Sequence, residues 1–288
     1  MITKFGKRFL TNFVAGNSTF DSKQMALGIA TGSSLEYPLS DTNSRLGFEF
    51  YRVPIRQGGI DVDTSVSPPK YTVIYSATIP TNIAGKINEI GIYSGESYTR
   101  NLYDSKFISN FELPYKWNPE PALDQTNYRI GDSSLIFGSN AAAAREYTYE
   151  LGSLDVSGYD PSDTLCFSYK ANDANLSSLK VRLYSSDTDY MQFTFTGHSV
   201  GYNIKSLNMS AGVSVGTFNP QSVVKLGIVV TPTSAQTYVS MDGLRINDED
   251  TFDPAYGLIA RSILDSTLIK VNGREAAIEF KLDLSFGV

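Results

Sequence analysis

The chain holds one cysteine (Cys166), one histidine (His198) and one tryptophan (Trp117) among its 288 residues. A lone cysteine excludes an intrachain disulfide. A zinc site needs several His or Cys ligands, and only these two are on offer. No apolar run approaches the roughly 18 residues of a membrane-spanning helix, so no membrane insertion is expected. Positive charge is also short: 24 Lys and Arg against 30 Asp and Glu, a net charge of −6. That balance argues against nucleic acid as a main partner. The opening "MITKFGKRFL" is basic but lacks the apolar stretch and small-residue cleavage site of a signal peptide, so the expected place of synthesis is the cytoplasm.

What is present is a globular composition, 41% hydrophobic and 19% charged, with 18 Tyr and 16 Phe that favour sheets over helices. The charge is unevenly spread. Residues 1–105 carry ten basic and nine acidic side chains, and residues 255–288 carry four of each. Residues 106–254 carry ten against seventeen, so the acidic excess lies in the middle. Such a shift separates domains and suggests that the chain leaves one domain (1–105 and 255–288), builds a second (106–254) and returns.

The pattern within each part is that of strands. "LGFEFYRVPI" (46–55), "YTVIYSATI" (71–79) and "INEIGIY" (87–93) precede a middle rich in short strands, among them "TLCFSYKA", "SLKVRLYSS" and "DYMQFTFTG". The C-terminal "AAIEFKLDLSF" alternates Ile278, Phe280, Leu282, Leu284 and Phe286 with Glu279, Lys281, Asp283 and Ser285, a half-buried strand. The expected class is mainly all-β. A discontinuous β-rich domain with a short N-terminal helix would carry an inserted antiparallel, jelly-roll-like β-sandwich. In the helix, Phe5, Phe9 and Phe13 fall on one face. They suggest a docking arm for a neighbouring subunit, in preference to a membrane-surface helix.

Several motifs invite chemistry. "GHSVG" (197–201) fits the nucleophile elbow of serine hydrolases, but Ser199 needs a histidine from elsewhere and the only one is its neighbour His198. No other catalytic signature stands out, and the expectation is a protein that is not an enzyme and needs no cofactor. Calcium is the one candidate ion, because Asp248, Glu249, Asp250 and Asp253 supply clustered oxygens, although their spacing matches no EF-hand loop. Trp117 and Tyr115, two apart in "LPYKWNP", offer faces for stacking on a sugar ring. The competing assignment, which the residue type favours, puts Trp117 in a core.

Residues 1–105 resemble the attachment domain of structural proteins in tailed-bacteriophage particles. The resemblance rests on "MALGIATGSS" (25–34), "LGFEFYRVPI", "YSATIP" and "INEIGIYSG", with "LIARSILDSTLIK…IEFKLDLSF" as closing strands. It implies an arginine after the apolar-acidic strand and a later Glu-Ile-Gly segment, here Arg52 and Glu89. Glu89 sits among isoleucines, and a buried acid needs a partner. Pairing with Arg52 or Arg45 is expected, the alternative being that Glu89 faces solvent.

The middle resembles the carbohydrate-binding-module-like or lectin-like sandwiches that phage proteins carry, on "LDVSGYDPSDTLCFSYKA", "LKVRLYSSDTDYMQF" and "VVKLGIVV…TYVSMDGLRINDED". Together the resemblances imply a virion structural protein assembled in the host cytoplasm. It would be anchored by its terminal segments in a tail, neck or fibre, homo-oligomeric, and partnered by other virion proteins. The alternatives are a module adhering to surface glycans, or a head fibre or capsid decoration.

Overall fold

The computed structural model describes residues 1–16, 22–29, 39–43, 45–55, 57–67, 69–94, 108–139, 142–247 and 257–284. The chain opens with helix α1 (Lys4–Val14). Strands β1 (Ser22–Ile29), β2 (Phe48–Pro54), β3 (Gln57–Asp63), β4 (Lys70–Ile79) and β5 (Gly85–Ser94) follow. Next come β6 (Trp117–Asn118), β7 (Ala122–Asp124), β8 (Ser134–Ser139), β9 (Arg145–Leu154), β10 (Thr164–Ala171) and β11 (Leu176–Tyr184). The same stretch continues with β12 (Tyr190–Phe195), β13 (Gly201–Asn208), β14 (Val213–Val215), β15 (Val223–Pro232) and β16 (Thr237–Asn247). Strands β17 (Leu258–Lys270) and β18 (Ala276–Leu284) close the chain. Two compact units result: one from Met1–Ala30, Tyr37–Ser105 and Phe252–Val288, the other mainly from Lys106–Thr251.

The first unit contains a four-stranded sheet, β17-β5-β1-β2, and a three-stranded one, β18-β4-β3, with antiparallel pairing throughout. In β18, Ile278, Phe280 and Leu282 are buried while Glu279, Lys281 and Asp283 are exposed, so the period-2 pattern becomes one core face and one wet face. The unit leaves and rejoins its own fold at adjacent points. Tyr93 pairs with Leu258, Ser94 N–H donates to Gly257 O at 3.1 Å, and Gly257 N–H donates to Ser94 Oγ at 3.1 Å.

Helix α1 is packed on its own unit and is not held out as an arm. Thr3 Oγ1 accepts the Gly6 N–H at 2.9 Å, capping the first turn. The physical reason for the packing is missing side chains. A Cβ on Gly6 would lie 2.1 Å from Ile259 O, and one on Gly257 would lie 2.8 Å from the Phe5 ring. Helix and strand therefore touch directly, with Phe5 laid over Gly257 and Phe9 stacked on Phe5 at 6.2 Å. Phe13 belongs to α1, and its side chain lies outside what is described.

The second unit is an antiparallel sandwich. A five-stranded sheet, β13-β10-β16-β8-β7, and a six-stranded sheet, β14-β12-β11-β15-β9-β6, share one core. Leu165, Phe167, Tyr169 and Met241 come from the first, and Leu179, Val181, Leu183, Phe193, Leu226 and Ile228 from the second. Trp117 joins this core at 5% exposure, stacked between Phe111 (5.6 Å) and Tyr149 (5.4 Å) and edge-on to Phe137 (4.9 Å).

Candidate functional site

Alternation gives each sheet of the sandwich a second, outward face, and the two faces have different fates. On the five-stranded sheet the outward row includes Ser168, Lys170, Ser240 and Asp242, and residues 124–132 fold down over it. Asp124 Oδ1 accepts the N–H groups of Thr126 and Asn127 at 2.9 Å each, turning the chain back across the sheet. Asp124 Oδ2 accepts from Ser240 Oγ at 2.8 Å. Lys170 Nζ donates to Asn127 Oδ1 at 2.8 Å, and the Arg129 guanidinium lies 3.9 Å over the Tyr202 ring. Asp242, only 2% exposed, receives the N–H groups of Arg129 and, at 2.7 Å, Ile130. Burial pushes its carboxyl up to about 8 against the pull of those donors. This face is closed by the chain's own backbone.

The outward face of the six-stranded sheet carries no such strap among the described residues. Strand register places its side chains in rows that cross the strands. One row reads Gln192, Arg182, Gly227, Thr148, Asn118, and the next reads Tyr190, Tyr184, Lys225, Glu150. Glycine at 227 leaves a dip over which neighbours meet. A Cβ there would lie 2.6 Å from Glu146 Oε1 and 2.8 Å from the Tyr184 ring. Across the dip the Tyr184 hydroxyl donates to Glu146 Oε1 at 2.5 Å, and Arg182 Nη1 donates to Glu146 Oε2 at 3.0 Å and to the Tyr184 oxygen at 3.2 Å. Arg182 Nε donates to Gln192 Oε1 at 2.9 Å, and its guanidinium lies 4.8 Å from the Tyr190 ring centre. Arg182 Nη2 has no partner among the described residues.

Burial and the bond to Glu146 push the Tyr184 hydroxyl up to about 12, so it stays a donor at any ordinary pH. Lys225 Nζ sits 4.8 Å from the Tyr184 ring centre and pairs with Asp187. At the sheet edge Val213, opposite Gln192, is 62% exposed. The result is a platform of fixed planar donors and acceptors with an apolar margin, in which the half-buried Tyr190 ring lies 4.9 Å from that of Tyr184, itself only 5% exposed. Groups already held by one another lose little freedom when a ligand arrives. Stacked C–H faces and hydroxyls are what such a surface can bind.

Other sequence-singled residues lie elsewhere. Glu89 is fully buried, and its partner is Arg261, itself 1% exposed, with Gly47 N–H donating to Oε2 at 2.9 Å. Arg261 also holds Asn43 Oδ1 at 2.8 Å. Burial pushes the Glu89 carboxyl up to about 7, against the pull of Arg261. Arg52 pairs instead with Glu49 on its own strand at 2.5 Å and lies 3.7 Å over Tyr93. Three residues apart, that pair closes locally, whereas the antiparallel β17 brings Arg261 beside β5, where Glu89 lies opposite Ile263. Arg45 is half-buried, two residues ahead of Gly47.

Tyr115 and Trp117 share no face, because Pro114–Lys116 forms a 3₁₀ turn ahead of β6. Tyr115 is therefore 68% exposed while Trp117 fills the core, which removes it as a sugar-stacking residue. His198 is engaged at both ring nitrogens, Nδ1 with the Tyr169 hydroxyl at 2.5 Å and Nε2 with Phe195 O at 3.0 Å, and so is no base for Ser199. Asp248, Glu249, Asp250 and Asp253 lie outside the described residues. The platform itself was missed, although "SLKVRLYSS" carries its signal: Lys180, Arg182 and Tyr184 alternate with the core residues Leu179, Val181 and Leu183.

No protein-family model matches the chain, and no curated protein does. Among solved structures it is similar to a family 11 carbohydrate-binding module of the cellulosomal cellulase Lic26A-Cel5E of Clostridium thermocellum. That match has 10% identity and a TM-score of 0.40, covering 51% of this chain and 97% of the module. It is also similar to the glycoside hydrolase domain of Endo-D from Streptococcus pneumoniae (17%, 0.32, 46% of this chain) and to the enzymatically active domain of tailspike protein 4 of bacteriophage CBA120 (16%, 0.27, 52%). The chain spans 20% of the length of each of these last two. At such identities no ligand or activity carries across.

Proposed function

We propose that this chain is a non-enzymatic adhesion and display protein. Its sandwich binds an uncharged oligosaccharide on the open face of the six-stranded sheet, and its discontinuous unit docks that sandwich to other subunits of a larger particle. The observation that carries the first half is the Arg182–Glu146–Tyr184–Gln192 network beside Tyr190, in which the Arg182 and Glu146 side chains keep 19% and 30% of their surface exposed. The choice of an uncharged ligand follows from the charges, since Arg182 is matched by Glu146 and Lys225 by Asp187. The resemblance of residues 1–105 to tailed-phage attachment domains supports a virion as the particle, in a tail, neck or fibre, assembled in the host cytoplasm with other virion proteins. Neither a cofactor nor a metal enters this reading.

The test is affinity electrophoresis of the full chain through gels containing a panel of neutral polysaccharides. Retardation by at least one of them is expected, and Tyr190→Ala with Gln192→Ala should abolish it without lowering the melting temperature appreciably. Free migration in every gel, or retardation that survives the double substitution, overturns the proposal.

A further inference from the structure

Strand β3, "QGGIDVD", is the outer strand of its three-stranded sheet and has β4 as its one strand neighbour among the described residues. Edge strands are normally blunted by charged side chains, above all lysine, or by proline, a bulge or shortness; β3 has two charges, Asp61 and Asp63. This one has seven residues, neither lysine nor proline, and an unbroken register against β4. Ile60 is 73% exposed and Val62 is 44% exposed. Their register positions, opposite Val73 and Tyr71, put them on the same face as the buried Phe280 and Leu282 of β18. Asp61 and Asp63 alternate onto the other face.

We propose that β3 is a self-pairing edge through which two copies of this chain form a two-fold dimer. In an antiparallel pair, directly opposed residues lie on the same side of the sheet. A second copy that keeps apolar beside apolar can therefore use only registers two residues apart. Centring the pair on Ile60 sets Ile60 against Ile60, Val62 against Gly58, Asp61 against Gly59 and Asp63 against Gln57. All seven residues then pair, and no acid faces an acid. Centring on Asp61 opposes the two Asp61 carboxylates, and centring on Val62 opposes Asp61 and Asp63 twice. Centring on Gly59 opposes no acids but leaves Val62 and Asp63 unpaired. One register alone uses the whole strand without like charges in opposition.

The two glycines fit that register. A Cβ on Gly59 would meet nothing within 4 Å, and one on Gly58 would meet only Ile74 O at 3.5 Å. Val62 and Asp61 of the other copy would fall beside these bare positions. The contact is isologous and closes after two copies, as a two-fold interface must.

The test is sedimentation of the full chain and its variants, each with a thermal melt. The wild type should sediment as a dimer. Gly59→Asp, which sets the new carboxylate against Asp61 on both sides of the two-fold, should weaken association about tenfold or more. Adding Asp61→Gly to Gly59→Asp restores an acid facing a glycine and should restore the dimer. Ile60→Cys should crosslink to its own kind under mild oxidation, whereas Val66→Cys, also exposed, should not; the native Cys166 is buried and silent. A monomeric wild type, a dimer indifferent to Gly59→Asp, or no rescue by the double substitution overturns the proposal. If Gly59→Asp does not fold, the crosslink decides, and its absence overturns the proposal equally.

Discussion

The two outward faces of the sandwich come from the same strand alternation and both carry polar rows, yet one is closed and the other open. On the five-stranded sheet Asp124, Asp242, Lys170 and Ser240 direct their hydrogen bonds to a strap of their own chain. On the six-stranded sheet Arg182, Glu146, Tyr184 and Gln192 direct theirs to one another, and all but Tyr184, which is 5% exposed, stay within reach of solvent. Polarity alone therefore does not mark a binding face. What separates the two faces is whether the polar groups hold backbone down or hold each other in place.

The contrast predicts that closed polar groups carry stability and open ones carry recognition. The extreme closed case is the Glu89–Arg261 pair of the other unit. Glu89 rises from an unfolded value of 4.5 to about 7 in the fold. Its contribution is complete below about 4.5 and lost as pH rises through 7. Arg261→Met removes the pull that holds this value down. The variant's deficit in thermal melts should accordingly be smallest near pH 5 and grow toward pH 8, reaching about 3–5 kcal/mol, the usual cost of a buried charge left alone.

Asp242 comes next. Its folded value of about 8 lies above the ordinary 3.8, so stability from this carboxyl is again full at low pH and lost as pH rises through 8. Asp242→Asn keeps an acceptor for the Arg129 and Ile130 N–H groups and has no charge to bury. It should match the wild type near pH 4 and gain on it by about 1 kcal/mol or more by pH 8. A gap that does not move with pH would mean that Asp242 titrates alike in the folded and unfolded chain. The smallest effect belongs to the open face, where Arg182→Met should shift stability by about 1 kcal/mol or less while removing polysaccharide retardation.

Strand positions were legible where the period-2 pattern was strict. β18 is the clearest case, since its apolar residues need only a core on one side. Glu89 was legible as an acid in need of a cation, but Arg261 lies 172 residues further along the chain, and nothing local to Glu89 points there. The resemblance pointed to Arg52, which the nearer Glu49 takes. Tyr115 and Trp117 share no face because Pro114 starts a turn that breaks the assumed alternation, and Trp117 takes the core place that its residue type favoured. The platform joins β9, β11, β12 and β15, and only their register brings Arg182, Gln192, Gly227 and Glu146 together.

The adjacency of Ser94 and Gly257 has a bearing on how such a chain can change. The two backbones already meet as neighbouring rungs of one ladder, so a two-residue turn in place of residues 95–256 would convert β5 and β17 into a plain hairpin. The β5–β17 junction works as a socket. A different segment whose ends lie a strand's width apart can be spliced in there with every pairing of the four-stranded sheet intact.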